Sequence, residues 1–412
     1  KKLLVKHEVD GKRVTAAEYA WEAHGMTRRD IEASVEAPKA TLKNLVVQLR
    51  QSSNNPPQIV ASDGGYVGAL TEPDSALKAV TIAPQKPFSW QEDGKTVRGG
   101  LTLPAGWTPG KAVPLVIQTY HYQPDLFLPD GVNTTSDAAQ SLAARGMAVL
   151  QLDTVIGDVR DTTRLRTEGP QFSARIDAAV EALANEGIID PTRVGLTGFS
   201  RIGYDTYWTI THPGRTRLAA SISADSYDGS YATYLRDLGL WGAFRVRDQE
   251  ALGGKGGFWQ NKIKWLEDET SFNVDSVTTP ALFTFNMSSN RDSASYLSQT
   301  YGAFLGNKKP IELLLFPEGD HQLIRPRERL EMMTAVVDWY CYWLKGEIPP
   351  DTERAKRWER LRKMQEAVIA EQAAKGVKLA PLPPLVPAPS WVKPLPNFDA
   401  PAPKTKNAVK TK

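Results

Sequence analysis

A serine at a strand-to-helix junction and a histidine far downstream are the residues of this chain whose types and spacing could do chemistry. In VGLTGFSRIGYDTYW, residues 194–208, an apolar run ends at a glycine, Ser200 follows, and a helix-forming stretch begins. A serine hydroxyl is a weak nucleophile at neutral pH. It needs a base in contact, a group that orients that base, and donors for the oxyanion. A strand–turn–helix elbow supplies part of this, because it lifts the side chain off the sheet and aims helix N-terminal amides at the reacting oxygen. The turn departs from the G-x-S-x-G pattern: Ile202 stands where the second glycine belongs, with Gly203 one position later. A branched residue there predicts a helix standing slightly further from the sheet.

In this chain order the base lies after the last strand of the sheet. Of the five histidines, His321 meets that requirement, following the strand-like IELLLF and the turn PEGD. The competing reading is a loop histidine in a polar turn, and the pairing with Ser200 favours catalysis. His121 follows an earlier strand, His212 sits where a helix-capping histidine would, and His7 and His24 lie in the N-terminal region. The orienting acid is expected in the loop after ALFTFN, which reads MSSNRDSASYL and offers Asp292 as its one carboxylate. Asn290 fits the spacing there, but an amide would not stabilise an imidazolium by charge. Asp225, which closes the strand over residues 218–224, is the substitute. The Arg201 backbone N–H and Tyr120, in QTYHYQPD, are the oxyanion donors this reading selects, with strand-end packing as the alternative for Tyr120.

These residues require a parallel sheet to position them. Across residues 96–346 apolar strand-like runs alternate with helical patterns: strands at 114–120, 147–153, 218–224, 281–286 and 311–316, and helices at 136–145, 173–186 and 326–345. That alternation predicts an α/β domain, a mostly parallel sheet covered on both faces. Residues 1–95 read as short antiparallel β structure, with strands at 45–50 and 58–61 and a helical interruption near 15–28. A glycine- and aromatic-rich insertion spans 225–279, a charged helix is expected over 347–375, and the proline- and lysine-rich tail 376–412 reads as extended or disordered.

Composition excludes several classes. The chain of 412 residues is 41% hydrophobic, enough for a large packed core, and its formal net charge of +3 gives no argument for nucleic acid as a partner. No apolar run approaches the roughly 20 residues of a membrane span. The single cysteine, Cys341, excludes an internal disulfide framework and leaves the compartment open. The opening KKLLVKHEVDGKRV lacks the apolar core of a secretion signal and reads as the interior of a longer chain. No cysteine or histidine cluster has metal spacing, GGKGG at 253–257 is not a phosphate loop, and no dinucleotide fingerprint opens a helix. No metal or cofactor is therefore expected.

The blocks KAVPLVIQTYHYQPD, DPTRVGLTGFS and ELLLFPEGDH together resemble the catalytic domain of the prolyl-oligopeptidase serine peptidases. GFSR followed by ADSYDGSY, and HQLIRPRERLEMMTAVVDWYCYWLKG, look most like the lasso peptide isopeptidases within it. The resemblance covers residues 95–362 and implies an α/β-hydrolase fold. NNPPQIVASDGGYVGALTEPDSAL is similar to the last blade of the β-propeller that precedes the domain in that family, so residues 1–95 are expected to be a propeller remnant. The resemblance implies Ser200 as nucleophile, His321 as base, Tyr120 and the Arg201 amide as oxyanion donors, and an acid on the SSNRDS loop. It further implies a peptide substrate whose macrolactam ring opens at an isopeptide bond, in the cytoplasm or periplasm of a bacterium. The alternatives are a peptidase or esterase acting on linear substrates, and an inactive hydrolase fold kept for binding. Oligomeric state is not legible.

Overall fold

The apolar runs become one eight-stranded sheet. The computed structural model describes residues 2–9, 12–22, 25–31, 45–63, 66–73, 75–153, 168–226, 229–243, 246, 249–250, 256–288 and 294–396. The sheet order is β14-β13-β12-β11-β9-β10-β8-β7. Its parallel part comprises β9 (Val113–Tyr120), β10 (Ala148–Asp153), β11 (Ile189–Phe199), β12 (Ala220–Ala224), β13 (Ala281–Asn286) and β14 (Ile311–Phe316). The hairpin β7 (Gln85–Glu92) and β8 (Lys95–Thr102) closes one edge antiparallel to β10. The domain therefore begins before the expected boundary at residue 96, which falls inside the β8 strand.

The parallel strands are apolar on both sides because both faces are covered. On β9, Leu115 and Ile117 face one core while Val116 faces the other. The first core receives α3 (Glu168–Asn185) and α4 (Arg201–Thr211), through Phe172, Ile176, Val180, Leu183, Ile202, Tyr207 and Ile210. The second receives α2 (Ala139–Ala144) and α8 (Pro326–Lys345). In α8 the WYCYW block is wholly buried, and Trp339 stacks edge-on against Trp343 and against Trp358 of α9 (Thr352–Ala374). Gly195 on β11 admits the Tyr340 ring; a Cβ there would lie 2.3 Å from it. Tyr340 then shares a 2.7 Å hydrogen bond with Thr197, which supplies the partner a buried phenol requires. Burial pushes the Cys341 thiol up to about 12, so this cysteine is an inert core residue.

The N-terminal region is antiparallel β, as expected, in two three-stranded sheets. One is β1 (Lys2–Val9), β2 (Lys12–Glu22) and β3 (Gly25–Ile31); the other is β4 (Leu45–Ser52), β5 (Asn55–Asp63) and β6 (Tyr66–Ala69). The helix expected near 15–28 is absent. That stretch is the β2–β3 hairpin, in which Tyr19 pairs with Arg28 and Trp21 with Met26. Helix-compatible residues were overridden by cross-strand pairing. Residues 1–50 with 57–74 form one compact unit, and residues 51–56 with 75–412 form the other. A single turn, α1 (Ser75–Lys78), opens the continuous part of the second unit.

The insertion carries α5 (Tyr231–Trp241), α6 (Lys262–Asp268) and a 3-10 turn, Thr270–Ser276, and the chain then enters β13. Helix α7 (Ala294–Gly306) joins β13 to β14. The proline-rich tail is extended and, through residue 396, ordered rather than disordered. Val386 and Pro387 (β16) pair with Glu347 and Ile348 (β15), the Pro383 carbonyl accepts from Arg362 at 2.7 Å, and Trp391 lies under the Arg145 guanidinium. A side chain at Gly346 would collide with the Pro384 carbonyl, so the tail crosses where the α8 cap has no Cβ.

Candidate active site

The chain reverses direction across the sheet between β9 and β11, because β10 lies on one side of β9 and β11 on the other. In open parallel sheets such a switch point, at the carboxyl ends of the strands, is where loops diverge and leave room for a site. Phe199 stands opposite Ala224 in the β11–β12 register, so Ser200 and Asp225 leave the sheet side by side. The Ser200 amide still donates to the Ala224 carbonyl at 2.9 Å, and the Asp225 amide to Thr284 at 2.8 Å.

Three side chains meet there. Ser200 Oγ is 2.8 Å from His321 Nε2, and His321 Nδ1 is 2.6 Å from Asp225 Oδ2. The imidazole is half exposed, whereas the Asp225 side chain is 10% exposed, so the open end of the relay faces the cleft and the acid end is shielded. With Nδ1–H donated to the carboxylate, Nε2 is left as the acceptor for the serine proton. Tyr120, Ser200 and Asp225 are three of the five non-glycine residues, among those described, with φ in the left-handed half of the map, at 149°, 55° and 39°. They end three adjacent strands. Such conformations cost about 1–3 kcal/mol each and persist only where the surroundings impose them.

The elbow is tight despite Ile202, and the expected outward displacement of the helix does not occur. A Cβ on Gly198 would lie 2.3 Å from the Ile202 carbonyl and from Thr206 Oγ1, so the helix backbone runs directly against the strand. Gly203 makes the second close approach, against Ser226. Ile202 itself is 1% exposed and turns into the first core. The shifted glycine takes the role of the missing one.

Of the carboxylates weighed for the acid, the one at Nδ1 is the substitute, Asp225, directly after β12. Asp292 and Asn290 lie outside the described residues. Asn286, which sequence reasoning missed, explains how Asp225 reaches this place. Its backbone N–H donates to Asp225 Oδ1 at 2.8 Å, while its side-chain amide donates to the carbonyls of Asp320 and His321 at 2.8 and 3.1 Å. One buried residue at the end of β13 thus holds both the acid and the histidine loop. Asp320 turns away to accept from Ser288 at 3.2 Å.

A second clamp comes from the NTTSD loop, residues 133–137, also missed. Thr135 Oγ1 accepts the Leu323 N–H at 2.8 Å, Thr134 donates to the Leu323 carbonyl, and Gln322 reaches Asn133. The loop is folded on Asp137, whose Oδ2 accepts the Asn133 N–H at 2.9 Å and whose Oδ1 accepts from Ser136 at 3.0 Å. Burial pushes the Asp137 carboxyl up to about 6, with the Asn133 amide and the Gln118 and Ser136 side chains opposing the rise.

The other sequence-selected residues fall as follows. Tyr120 ends β9 beside the elbow, its ring 6.3 Å from Phe199, and Phe199 stacks on His321 at 4.7 Å. Arg201 opens α4, so its N–H belongs to the helix N-terminus next to Ser200. His212 caps the same helix, stacks flat on Trp208 at 4.3 Å and bonds the Glu267 carbonyl, a structural role. His121 is 3.7 Å from Asp153 at the surface. Among the described residues no cluster of three or more His, Cys, Asp or Glu is placed to hold a metal ion. A cavity of about 380 Å³ lies at the opposite ends of the strands, lined by residues such as Arg193, Arg215 and Trp343 with the tail segment 378–383. None of the site residues lines it.

With this geometry established, comparison with known proteins becomes informative. The family model described as Prolyl oligopeptidase family matches residues 133–347, more than half of the chain and all of the site's strands from β10 onward. The chain belongs to the prolyl oligopeptidase family. Among curated relatives of this family member is the lasso peptide isopeptidase AtxE2 of Asticcacaulis excentricus, 25% identical over 337 residues, which cover 77% of this chain and 46% of that protein. The AtxE2 structure solved with Astexin3-dC4 bound superposes with a TM-score of 0.65 at 19% identity, covering 89% of this chain and 56% of the other. The acylaminoacyl peptidase of Pyrococcus horikoshii shares the fold at a TM-score of 0.57 and 17% identity, with 80% and 52% coverage. The chain spans about half the length of the curated relative it matches over most of its residues. The sheet is that of an α/β hydrolase. No helix among the described residues is long and apolar enough to cross a membrane.

Proposed function

We propose that this chain carries the catalytic centre of a serine peptidase that cleaves amide bonds by acyl transfer, with an isopeptide in a cyclised peptide as its substrate class. The observation that carries the reading is the Ser200–His321–Asp225 relay, 2.8 and 2.6 Å long, mounted on a strained elbow. Ser200 Oγ attacks the carbonyl carbon while His321 Nε2 takes its proton. Asp225 orients the ring through Nδ1 and stabilises the imidazolium by charge. The Arg201 N–H and the Tyr120 hydroxyl are the groups assigned to the developing oxyanion. The tetrahedral intermediate collapses, His321 returns the proton to the leaving amine, and water attacks the acyl-enzyme by the same route in reverse.

The isopeptide assignment rests on the likeness to AtxE2 in sequence across most of the chain. The two N-terminal antiparallel sheets are read as blade units of a β-propeller. A fluorophosphonate probe should label the wild-type chain and not Ser200→Ala. Incubation with a lasso peptide should then give a single product heavier by one water. Two smaller fragments would mean that linear cleavage is the activity instead, and a wild type that never labels would remove the serine-hydrolase reading.

A further inference from the structure

Beside the elbow, at the first turn of α4, lies a second cluster of ionisable groups that the relay does not use. Arg201 Nε and its terminal Nη2 donate to the two oxygens of Glu168 at 2.8 and 2.6 Å, a two-pronged pair. The Glu168 side chain is 6% exposed and that of Arg201 is 21% exposed. Asp205, one turn along α4 from Arg201, is 1% exposed and lies close enough to Glu168 for the two carboxyls to interact. Its Oδ1 has no hydrogen-bond partner among the described residues. The cluster thus sets two buried carboxyls beside one partly exposed guanidinium.

Charge counting decides the protonation. With both acids ionised, the described groups of the cluster would hold a net negative charge, and Glu168 and Asp205 would set two acceptors against each other. With one proton on Asp205 its O–H donates to Glu168, Glu168 stays the anion for Arg201, and the pocket is neutral. Burial first, and the neighbouring Glu168 next, hold the Asp205 carboxyl well above the usual carboxylate range, against the opposing pull of Arg201. Among the described residues, Tyr204 on α4 adjoins the cluster, and Glu269, which caps the 3-10 turn, acts on Tyr204. Burial, Asp205, Glu269 and Glu168 in turn push the Tyr204 phenol well above its ordinary value, so it adds no charge. Helix α3 is pinned to α4 here: a side chain at Gly169 would strike the Trp208 ring.

We propose that Asp205 and Glu168 form a neutral-acid/carboxylate pair that fixes Arg201, and through it the first turn of the nucleophile helix, making both carboxyls positioning residues for the acyl-transfer step. The physical basis is that Arg201 is the residue immediately after Ser200, and its N–H is the assigned oxyanion donor. A guanidinium gripped by a planar fork has one orientation, whereas an ungripped one lets the strained turn relax. This inference rests on the serine-peptidase reading above.

The experiment uses the full chain, an activated ester, and difference infrared spectroscopy of side-chain carboxyls at about pH 8. Wild type should show a protonated carboxyl band that Asp205→Asn removes. Asp205→Asn, whose amide can donate as the neutral acid does, should lower the plateau kcat only slightly. It should also lack the alkaline fall-off that wild type shows as Asp205 ionises. Glu168→Gln should lower kcat about tenfold to a hundredfold with KM changed far less, the cost of a displaced reacting group. Absence of the protonated carboxyl band at about pH 8 overturns the inference, as does an alkaline limb identical in wild type and Asp205→Asn. Should Glu168→Gln not fold, the Asp205→Asn arms still decide. If Ser200→Ala keeps turning over the ester, the peptidase reading itself has failed; if it is inert while the Asp205 arms are unchanged, only this inference has.

Discussion

The front and the back of the nucleophile elbow hold the same residue types in opposite conditions. In front, Asp225 faces a half-exposed His321, and its other oxygen is held by the Asn286 backbone N–H. Behind, Glu168 holds the Arg201 guanidinium in a two-pronged pair, with the buried Asp205 carboxyl beside it. A carboxylate that accepts an N–H and faces an imidazole is placed to orient that ring. A carboxyl buried against another carboxyl is set up to be neutral. Environment therefore assigns the roles: the front acid supports a charge that appears during reaction, and the back pair supports geometry. The NTTSD loop shows a third condition, a buried carboxyl satisfied by an amide N–H and a hydroxyl.

The contrast breaks most decisively at the serine. Ser200→Ala should lower kcat by about a millionfold, the scale at which a nucleophile is lost while binding survives. Single-turnover kinetics with an ester reads it. Next, Asp225→Asn should cost about ten-thousandfold, because the ring loses its tautomer control and its charge partner. Asp292→Asn should stay within about threefold. Reversal of those two results would move the acid back to the loop after β13.

Asp137 sharpens the comparison through stability. Its folded pKa of about 6 lies above the unfolded value of 3.8, so the stability it contributes is present below about pH 4 and is lost as pH rises through 6. The penalty at about pH 8 is ~3 kcal/mol on this basis. Asp137→Asn does not titrate, so its stability relative to wild type should improve by that amount between about pH 3 and pH 8. Urea unfolding across the range measures it, and a pH-independent difference would mean that folding does not raise the carboxyl's pKa. A far smaller loss than that of Asp225→Asn is expected at Asn286→Ala. The backbone N–H that holds Asp225 survives this substitution, so only the grip on the Asp320 and His321 carbonyls is lost, worth about tenfold in kcat. A loss as large as that of Asp225→Asn would show that the side chain, not the amide, controls the acid.

Much of this site was legible as local pattern. Ser200 and His321 were readable because an elbow and a post-strand loop are written in contiguous residues, and both lie where the strands end. The strands β13 and β14 and the helix α8 have the bounds their apolar runs predict. Asp225 was readable only as an alternative, because chain order favours the loop after β13, while the contact that matters joins residues 96 apart. Asn286 and the NTTSD loop gave no signal: a buried asparagine and a polar turn look like any others until the carbonyls they hold are in place. The β2–β3 hairpin was misread as helix because pairing partners, not intrinsic preference, decide short strands. Proline content made the tail look free, but Val386 and Pro387 pair with β15, and Trp391 packs beneath Arg145.

By itself the sequence determined what short-range physics encodes: the periodicities of the strands and helices, the glycines that let backbones touch at Gly198 and Gly203, and a nucleophile and base in a workable order. Only the tertiary structure decided which carboxyl completes the relay, how the displaced glycine keeps the elbow tight beside Ile202, and why Arg201 sits against two acids. Those outcomes depend on distances between strands and helices far apart in the chain. Burial and charge balance act on groups only after the fold has brought them together.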